Sequence, residues 1–190
     1  MIDVIMPTYN RLESIKKVID SYLCQKYLGQ IIFVDDCSTE NINEFIDQLQ
    51  NKYPNKIIYR RVDKKTTLPN VRNIGVSLSK NEYIFMGEDD VILPPDHFEI
   101  LMNAMTKYDA DIIAGRRIYL RSGQSLDDAK KVADADSEPI FIHLPFEGYF
   151  ERYVASPQKV PFLHSNSLLK RFVFEKVMYD PGYIGNAFRE

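Results

Sequence analysis

Cysteine is scarce in this chain, with two cysteines among 190 residues. Cys24 and Cys37 lack the paired spacing of a disulfide framework or a zinc site, and the first residues do not resemble a signal peptide. Disulfides are not needed at this length, because one domain of this size buries roughly 70% of its unfolded surface. We therefore expect reduced thiols, a cytoplasmic location and a single domain over residues 1–190.

The chain also has no net positive charge, no long apolar stretch and only three histidines. The net charge of −3 and the pI near 5.7 argue against a general nucleic-acid-binding protein, which needs a dense positive surface. No apolar run approaches the roughly 18 to 20 residues that cross a bilayer, so we expect no transmembrane span, while peripheral contact with the inner face of the membrane stays open. His97, His143 and His164 lack ligand spacing, and we expect packed or exposed histidines rather than a base or a metal ligand.

The sequence does contain a repeated pattern of short apolar runs and amphipathic segments. The runs predict strands at residues 2–6, 31–34, 57–59, 82–86, 111–115 and within 162–169. The amphipathic segments predict helices at residues 10–23, 42–49, 69–78, 94–105 and 171–177. Because these strands do not alternate polar with apolar residues, the pattern predicts an α/β fold with a mostly parallel central sheet and helices on both faces.

Two local details of this prediction concern the ends of elements. Asn10 and Glu13 have the spacing of a capping box and predict the start of the first helix, just after Pro7 ends the first strand. Residues 122–138 are rich in Ser, Gly, Asp and Lys with little periodicity, and we interpret them as a surface loop.

The acidic triplet Glu88-Asp89-Asp90 directly follows the apolar run at 83–86. Three adjacent carboxylates at the end of a strand repel one another unless a cation or hydrogen-bond donors compensate them. Carboxylate oxygens suit Mg²⁺ or Mn²⁺, and protein-bound Mg²⁺ typically combines one or two carboxylates with substrate phosphates. The triplet therefore predicts a divalent-metal site for a phosphate-bearing ligand, with a solvated acidic turn as the alternative.

Two more polar clusters end neighbouring predicted strands. Pro7-Thr8-Tyr9 follows the first strand and Asp35-Asp36 follows the second. Ligands of open parallel sheets bind outside the carboxyl ends of the strands. We therefore expect these clusters and the acidic triplet to lie along one edge of the sheet.

Four segments of the chain, residues 4–11, 32–38, 68–75 and 81–90, resemble in order and spacing the successive motifs of family 2 glycosyltransferases. The resemblance implies the Rossmann-like GT-A fold, a nucleotide-sugar donor, Mn²⁺ or Mg²⁺, and inversion at the anomeric carbon, and we expect the donor to be UDP-linked. It also implies a carbohydrate or lipid-linked acceptor, as in cell-surface polysaccharide synthesis. Residues 1–118 would form the nucleotide-sugar-binding half and residues 119–190 an incomplete acceptor half.

The same resemblance assigns roles to individual residues. The implied donor-binding residues are Pro7, Thr8, Tyr9, Asp35, Asp36, Arg72 and Asp89. Asp36 would accept hydrogen bonds from the base or ribose, Asp90 would bind the metal directly, and Asp89 would serve the ribose or the metal. For Glu88, two roles stay open: its side chain contacts the metal, or it faces solvent. Arg72 would face the nucleotide, and the alternative for its side chain is a surface salt bridge. Asn73 could be a structural residue of the same helix.

The family's general base lies in an acidic motif after an aromatic stretch like residues 180–190. Glu190 is the last residue and the first carboxylate of that motif, so it is the candidate base, and we expect donor binding with slow transfer. Exposed apolar side chains at Phe172, Val173 and Val177 would favour self-association. The alternatives are a truncated or inactive nucleotide-sugar-binding fragment, a phosphoacceptor signalling domain and a nucleotidyltransferase; the last normally has a glycine-rich loop after its first strand.

Overall fold

The computed structural model describes residues 1–135 and 150–183, together with the backbone of residues 141–142 and 147–148. Its elements in chain order are β1 (Ile2–Thr8), α1 (Leu12–Leu23), β2 (Leu28–Asp35), α2 (Asn43–Lys52), β3 (Ile57–Arg61), α3 (Leu68–Leu78), β4 (Tyr83–Met86), α4 (His97–Lys107), β5 (Ile112–Ala114), α5 (Leu126–Ala135), β6 (Phe141–Ile142), β7 (Glu147–Gly148), β8 (Ser167–Lys170) and α6 (Val173–Lys176). No helix within these ranges is both long enough and apolar enough to cross a membrane.

The chain divides into two compact units. The first unit consists of Met1–Ile113 with Ser165–Glu190, and the second of Ala114–His164. The first unit carries the sheet and the candidate site. In the second unit, β6 pairs antiparallel with β7, and the His164 ring packs edge-on against Phe150 at 4.9 Å between centroids. His164 Nε2 also donates to the Gly115 carbonyl at 2.8 Å.

The central sheet has six strands in the order β3-β2-β1-β4-β8-β5. β1 lies parallel to both β2 and β4, and β3 lies parallel to β2, whereas β8 lies antiparallel to β4. The predicted α/β fold with a mostly parallel sheet is therefore confirmed. Because β2, β1 and β4 are neighbours that run in one direction, their carboxyl ends lie at the same edge.

Both faces of the sheet are covered, and β1 shows how the sequence divides between them. Val4 and Met6 belong to the larger apolar cluster with residues of α1, α2 and α4, while Ile5 belongs to a separate cluster with Val76 of α3. A Cβ atom added to Gly75 of α3 would lie 2.3 Å from Ile5 Cγ2. The close approach of α3 to β1 therefore requires glycine at this position.

A buried carboxylate ties the start of β1 to the turn between α3 and β4. The Asp3 side chain is fully buried and accepts hydrogen bonds from the backbone N–H groups of Lys80 and Asn81 at 2.9 and 3.0 Å. It also accepts from the Ser79 hydroxyl at 2.9 Å, the Asn81 amide at 2.6 Å and the Gln30 N–H at 3.1 Å. Burial alone would raise the pKa of Asp3, but these hydrogen bonds outweigh burial and lower the pKa.

The start of α1 differs from the predicted capping box, which is wrong. Arg11 is the N-cap and makes no side-chain capping bond. Asn10 has a φ of 52°, and its side-chain oxygen accepts from the Thr39 N–H at 2.7 Å, across 29 residues of sequence. The Glu40 carboxylate caps α1 instead, by accepting from the Leu12 N–H at 2.9 Å. The loop after β2 thus orders the start of α1.

Two further expectations are corrected by the structure. β1 continues through Pro7 to Thr8, because Pro7 lies beyond the last β1 to β4 pair, Ile5 with Met86, and no ladder bond is lost there. The predicted loop at 122–138 contains the helix α5. Its N-terminal turn has a side-chain cap, since the Asp128 N–H donates to Ser125 Oγ at 3.1 Å.

Candidate functional site

A cleft of about 470 Å³ opens at the edge where β1, β2 and β4 end. Most residues predicted for donor and metal binding line this cleft: Pro7, Thr8, Tyr9, Asp36, Arg72, Glu88, Asp89 and Asp90. They arrive from the ends of three strands and from the first turns of α3, although they span more than 80 residues of sequence. The parallel topology therefore brings the three polar clusters together.

The acidic loop after β4 presents two carboxylates in different environments. Burial raises the pKa of Asp89, and the neighbouring Asp90 charge acts in the same direction, while the Thr8 hydroxyl and the Arg11 charge oppose the increase. Asp90 is exposed, and its Oδ2 lies 3.4 Å from Arg11 Nη1. An ion pair whose side chains are both about half exposed stabilises little. Asp90 is thus the carboxylate most available to another cation.

Glu88 is held by groups on two other segments of the first unit. Its carboxylate accepts hydrogen bonds from the Ser165 hydroxyl and from Asn166 Nδ2, the latter at 3.2 Å. The Tyr22 hydroxyl donates to the Glu88 carbonyl at 3.0 Å and accepts from the Glu88 N–H at 3.3 Å. These contacts fix the backbone from which Asp89 and Asp90 project.

Asp35 and Asp36, which are adjacent at the end of β2, have different surroundings. Asp35 is fully buried and does not line the cleft. Its carboxylate accepts from the Ser38 N–H at 2.9 Å, the Tyr59 hydroxyl at 2.7 Å and Arg61 Nη1 at 3.3 Å, and also from the Ser38 hydroxyl. Burial and this carboxylate raise the pKa of Tyr59 to about 12. The position of Asp35 thus fits a role in shaping the loop, not the expected contact with the donor.

Asp36 faces the cleft with one oxygen engaged. Asp36 Oδ1 accepts from the Thr66 N–H at 2.8 Å, and its own N–H donates to the Thr8 carbonyl at 2.9 Å. No other hydrogen bond reaches its carboxylate from the described part of the chain. The second oxygen can therefore accept from a ligand that carries N–H or O–H groups.

Arg72 projects from α3 into the cleft lining. The helix begins after Thr67, whose hydroxyl accepts from the Asn70 N–H, and carries Pro69 in its first turn as predicted. Arg72 is only 7% exposed, so the alternative of a surface salt bridge does not fit its position. Its guanidinium carbon lies 5.5 Å from the centroid of the Tyr179 ring. Burial lowers the pKa of Arg72, with the Tyr179 hydroxyl opposing it.

Four polar residues of the lining were missed by sequence reasoning: Arg11, Lys65, Thr66 and Thr67. Arg11 pairs with Asp90, Thr66 orients Asp36, and Lys65 places its ammonium 3.6 Å from the centroid of the Tyr9 ring. Lys65 and Thr66 lie after β3, which is the outer neighbour of β2. The sequence contained a signal for Lys65 and Thr66, because the loop that follows a third parallel strand lies at the same edge of the sheet.

The side chains that line the cleft supply only part of the coordination of a metal ion, so a bound ligand or water would complete it. Within the described ranges, no group of three or more His, Cys, Asp or Glu side chains could hold a metal ion. Asp90 and Asp89 are the residues that could contribute oxygens, and Mg²⁺ usually completes its coordination with water and substrate phosphate. Glu190, the candidate base, and His143 lie outside the described residues. The His97 ring packs edge-on against Phe85 at 5.7 Å between centroids.

The sequence is similar to those of several known glycosyltransferases. Poly(ribitol-phosphate) β-N-acetylglucosaminyltransferase TarP of Staphylococcus aureus is 30% identical over 171 residues, which are 85% of this chain and 52% of TarP. Glycosyltransferase GlyG of Streptococcus pneumoniae is 30% identical over 116 residues, which are 60% of this chain and 38% of GlyG. The chain thus spans about half or less of the length of these relatives.

Solved structures with the same fold have low sequence identity to this chain. S. aureus TarS 1–349 has a TM-score of 0.68 at 14% identity, covering 97% of this chain and 52% of that one, and it has also been solved with UDP-GlcNAc. The mannosyltransferase PcManGT from Pyrobaculum calidifontis, in complex with GDP-Man and Mn²⁺, has a TM-score of 0.65 at 16% identity, covering 92% of this chain and 46% of that one.

The family model for glycosyl transferase family 2 matches residues 3–178, which include all strands and helices of the chain except the first residue of β1, and the whole lining of the cleft. The chain therefore belongs to glycosyl transferase family 2.

Proposed function

We propose that this chain binds a UDP-linked sugar in the cleft and, with a divalent metal ion, transfers the sugar to an acceptor hydroxyl with inversion. The observation that carries the proposal is the convergence of Asp36, Asp89 and Asp90 with Tyr9 and Arg72 at one edge of the sheet. TarP is named as an N-acetylglucosaminyltransferase, and TarS has been solved with UDP-GlcNAc, which supports a UDP donor. The acceptor would be a carbohydrate or a lipid-linked molecule of cell-surface polysaccharide synthesis, and the poly(ribitol-phosphate) in the name of TarP supports a polymeric acceptor.

The nucleoside would lie between the ends of β1 and β2. Tyr9 lines the cleft together with Asp36, whose second carboxylate oxygen can accept from the N–H of a uracil or from ribose hydroxyls. The Thr66 N–H holds Asp36 in place before a ligand arrives. This preorganisation reduces the entropy that donor binding would otherwise cost.

The charges of the cleft support a divalent cation as part of the donor complex. The lining carries four carboxylates, on Asp36, Glu88, Asp89 and Asp90, against three basic side chains, on Arg11, Lys65 and Arg72. A diphosphate brought into this acidic surface needs added positive charge. PcManGT binds Mn²⁺ together with its nucleotide sugar, which supports Mn²⁺ or Mg²⁺ in this role.

Asp90 would hold the metal, with Asp89 beside it, and the contacts of Glu88 would keep the loop in place. When bound, a divalent ion neutralises the negative charge that develops on a departing diphosphate, an effect of several kcal/mol. Arg11 would give up its weak pairing with Asp90 and become available to the diphosphate. Glu190 remains the proposed base that removes the acceptor proton, and residues 119–190 the proposed acceptor half.

Donor choice and transfer can be tested separately. The chain is incubated with UDP-GlcNAc or GDP-Man in MnCl₂, and both hydrolysis and transfer of the sugar to an added acceptor are measured. We expect consumption of the UDP-linked donor to exceed that of the GDP-linked donor by at least about tenfold, and to fall at least about tenfold in Asp36→Ala at a donor concentration below KM. The control is Glu44→Ala, which removes an exposed carboxylate on α2, away from the cleft. Equal use of both donors would contradict the UDP preference.

A further inference from the structure

A segment far along the sequence contacts the donor cleft through α3. Asn73 of α3 makes two hydrogen bonds with the backbone of Tyr179: its Nδ2 donates to the Tyr179 carbonyl at 2.8 Å, and its Oδ1 accepts from the Tyr179 N–H at 3.0 Å. One side chain thus satisfies both backbone polar groups of a residue 106 positions away. Such a paired contact fixes where the Tyr179 backbone lies and leaves its ring little freedom.

The Tyr179 ring lies between the apolar core and Arg72. On one side it packs with Phe174 of α6 at 6.0 Å between centroids, as part of the cluster around Ile5. On another side it lies 5.5 Å from the guanidinium carbon of Arg72, within the range of a cation–π contact. Burial raises the pKa of Tyr179, so the ring remains a neutral phenol beside the cation.

Arg72 is the residue through which this arrangement reaches the cleft. It is 93% buried yet forms part of the lining, and arginine has a large rotamer entropy to lose when it binds a ligand. A guanidinium already held against a ring loses less of that entropy on binding, and a desolvated cation–π contact is the strongest kind. Asn73 and Arg72 are adjacent in α3, so the anchor and the cation belong to one rigid element.

We propose that Tyr179 is a positioning residue for donor binding, whose ring holds the Arg72 guanidinium towards the cleft, and that Asn73 fixes the ring in that place. The proposal rests on the proposed function, since it requires the cleft to bind the nucleotide. It adds a part of the donor site that lies outside the four sequence motifs, after the last helix of the described chain. Because Tyr179 acts only through Arg72, its effect should vanish when Arg72 is replaced.

The test is a double-mutant cycle measured by calorimetry with UDP and MnCl₂ on the full 190-residue chain. We expect Tyr179→Leu to weaken UDP binding about tenfold, or about 1.4 kcal/mol, and Arg72→Met to weaken it at least as much. The double variant should bind no more weakly than Arg72→Met alone. Tyr179→Phe keeps the aromatic ring and should bind UDP with wild-type affinity. This result would show that the ring beside Arg72, and not the hydroxyl of Tyr179, supports UDP binding.

A second arm guards against a folding defect in Tyr179→Leu. Asn73→Ala leaves both side chains of the stacked pair in place but removes their anchor, and we expect a threefold to tenfold loss of UDP affinity that disappears in the Arg72→Met background. Additive losses in either cycle would overturn the positioning role while UDP binding by the wild-type chain would still support the proposed function. Absence of UDP binding by the wild-type chain would overturn both.

Discussion

Asp35 and Asp36 are adjacent in the sequence, yet alanine at each should have opposite consequences. Asp35→Ala removes the acceptor of hydrogen bonds from Ser38 and Tyr59, whose donors remain buried or half-buried, while Arg61 is exposed enough to be hydrated. A buried donor left without a partner costs about 1–3 kcal/mol. The free energy of unfolding should therefore fall by about 3–4 kcal/mol, because more than one such donor is left.

Asp36→Ala should weaken nucleoside binding and leave the free energy of unfolding almost unchanged. Within the described ranges its carboxylate accepts one hydrogen bond, from the Thr66 N–H, so the loss of stability should be about 1 kcal/mol or less. If Asp36 accepts from the base or ribose, uridine and UDP should both bind roughly 10- to 100-fold more weakly, as expected for hydrogen bonds to a charged group.

The two effects are measured on the same samples. Urea denaturation followed by circular dichroism gives the free energy of unfolding, and calorimetry with uridine and with UDP gives the affinities, with Glu44→Ala as the matched control on α2. A wild-type urea midpoint with loss of uridine binding in Asp35→Ala, together with normal uridine binding in Asp36→Ala, would refute these separate roles.

Three further predictions concern Asp3, Gly75 and Glu88. The pKa of Asp3 is lowered in the folded state, so the stabilisation by its carboxylate is fully present above the unfolded-state pKa near 3.8. This stabilisation is lost as the pH falls through the lower pKa of the folded state. Between about pH 5 and pH 2, the urea midpoint should therefore fall less steeply in Asp3→Asn than in the wild-type chain. Gly75→Ala should lower the thermal midpoint, since the clash with Ile5 costs about 1–3 kcal/mol and exceeds the helix-propensity gain of about 1 kcal/mol. Glu88→Gln can keep both side-chain contacts and should change Mn²⁺-dependent UDP affinity less than threefold by calorimetry, whereas a tenfold loss would make Glu88 a direct metal ligand.

The sheet and the edge that carries the site could be predicted from sequence because their signal is local. Buried parallel strands appear as continuous apolar runs, as in Ile31–Val34, and the polar residue after each run marks the carboxyl end. Such runs favour parallel strands, and parallel strands place Asp36 and Asp90 at a common edge of the sheet.

The missed features depend on contacts between distant residues. Asn10 looks like a helix cap from its neighbours, but its oxygen is used by Thr39, and Glu40 takes its place at α1. The contact of Asn73 with Tyr179 likewise has no local pattern, since the partners are 106 residues apart. Helix α5 is different, because the Ser125 to Asp128 spacing was a local signal that the polar composition of the segment obscured.

Calorimetric titration of UDP in MnCl₂ and in EDTA, with uridine as the reference ligand, tests the central claim most directly. We expect wild-type UDP binding to require the metal and to fall at least about tenfold in Asp90→Ala, while uridine binds both proteins equally. Equal UDP affinity in EDTA, or loss of uridine binding in Asp90→Ala, would contradict a metal-dependent donor site at the end of β4.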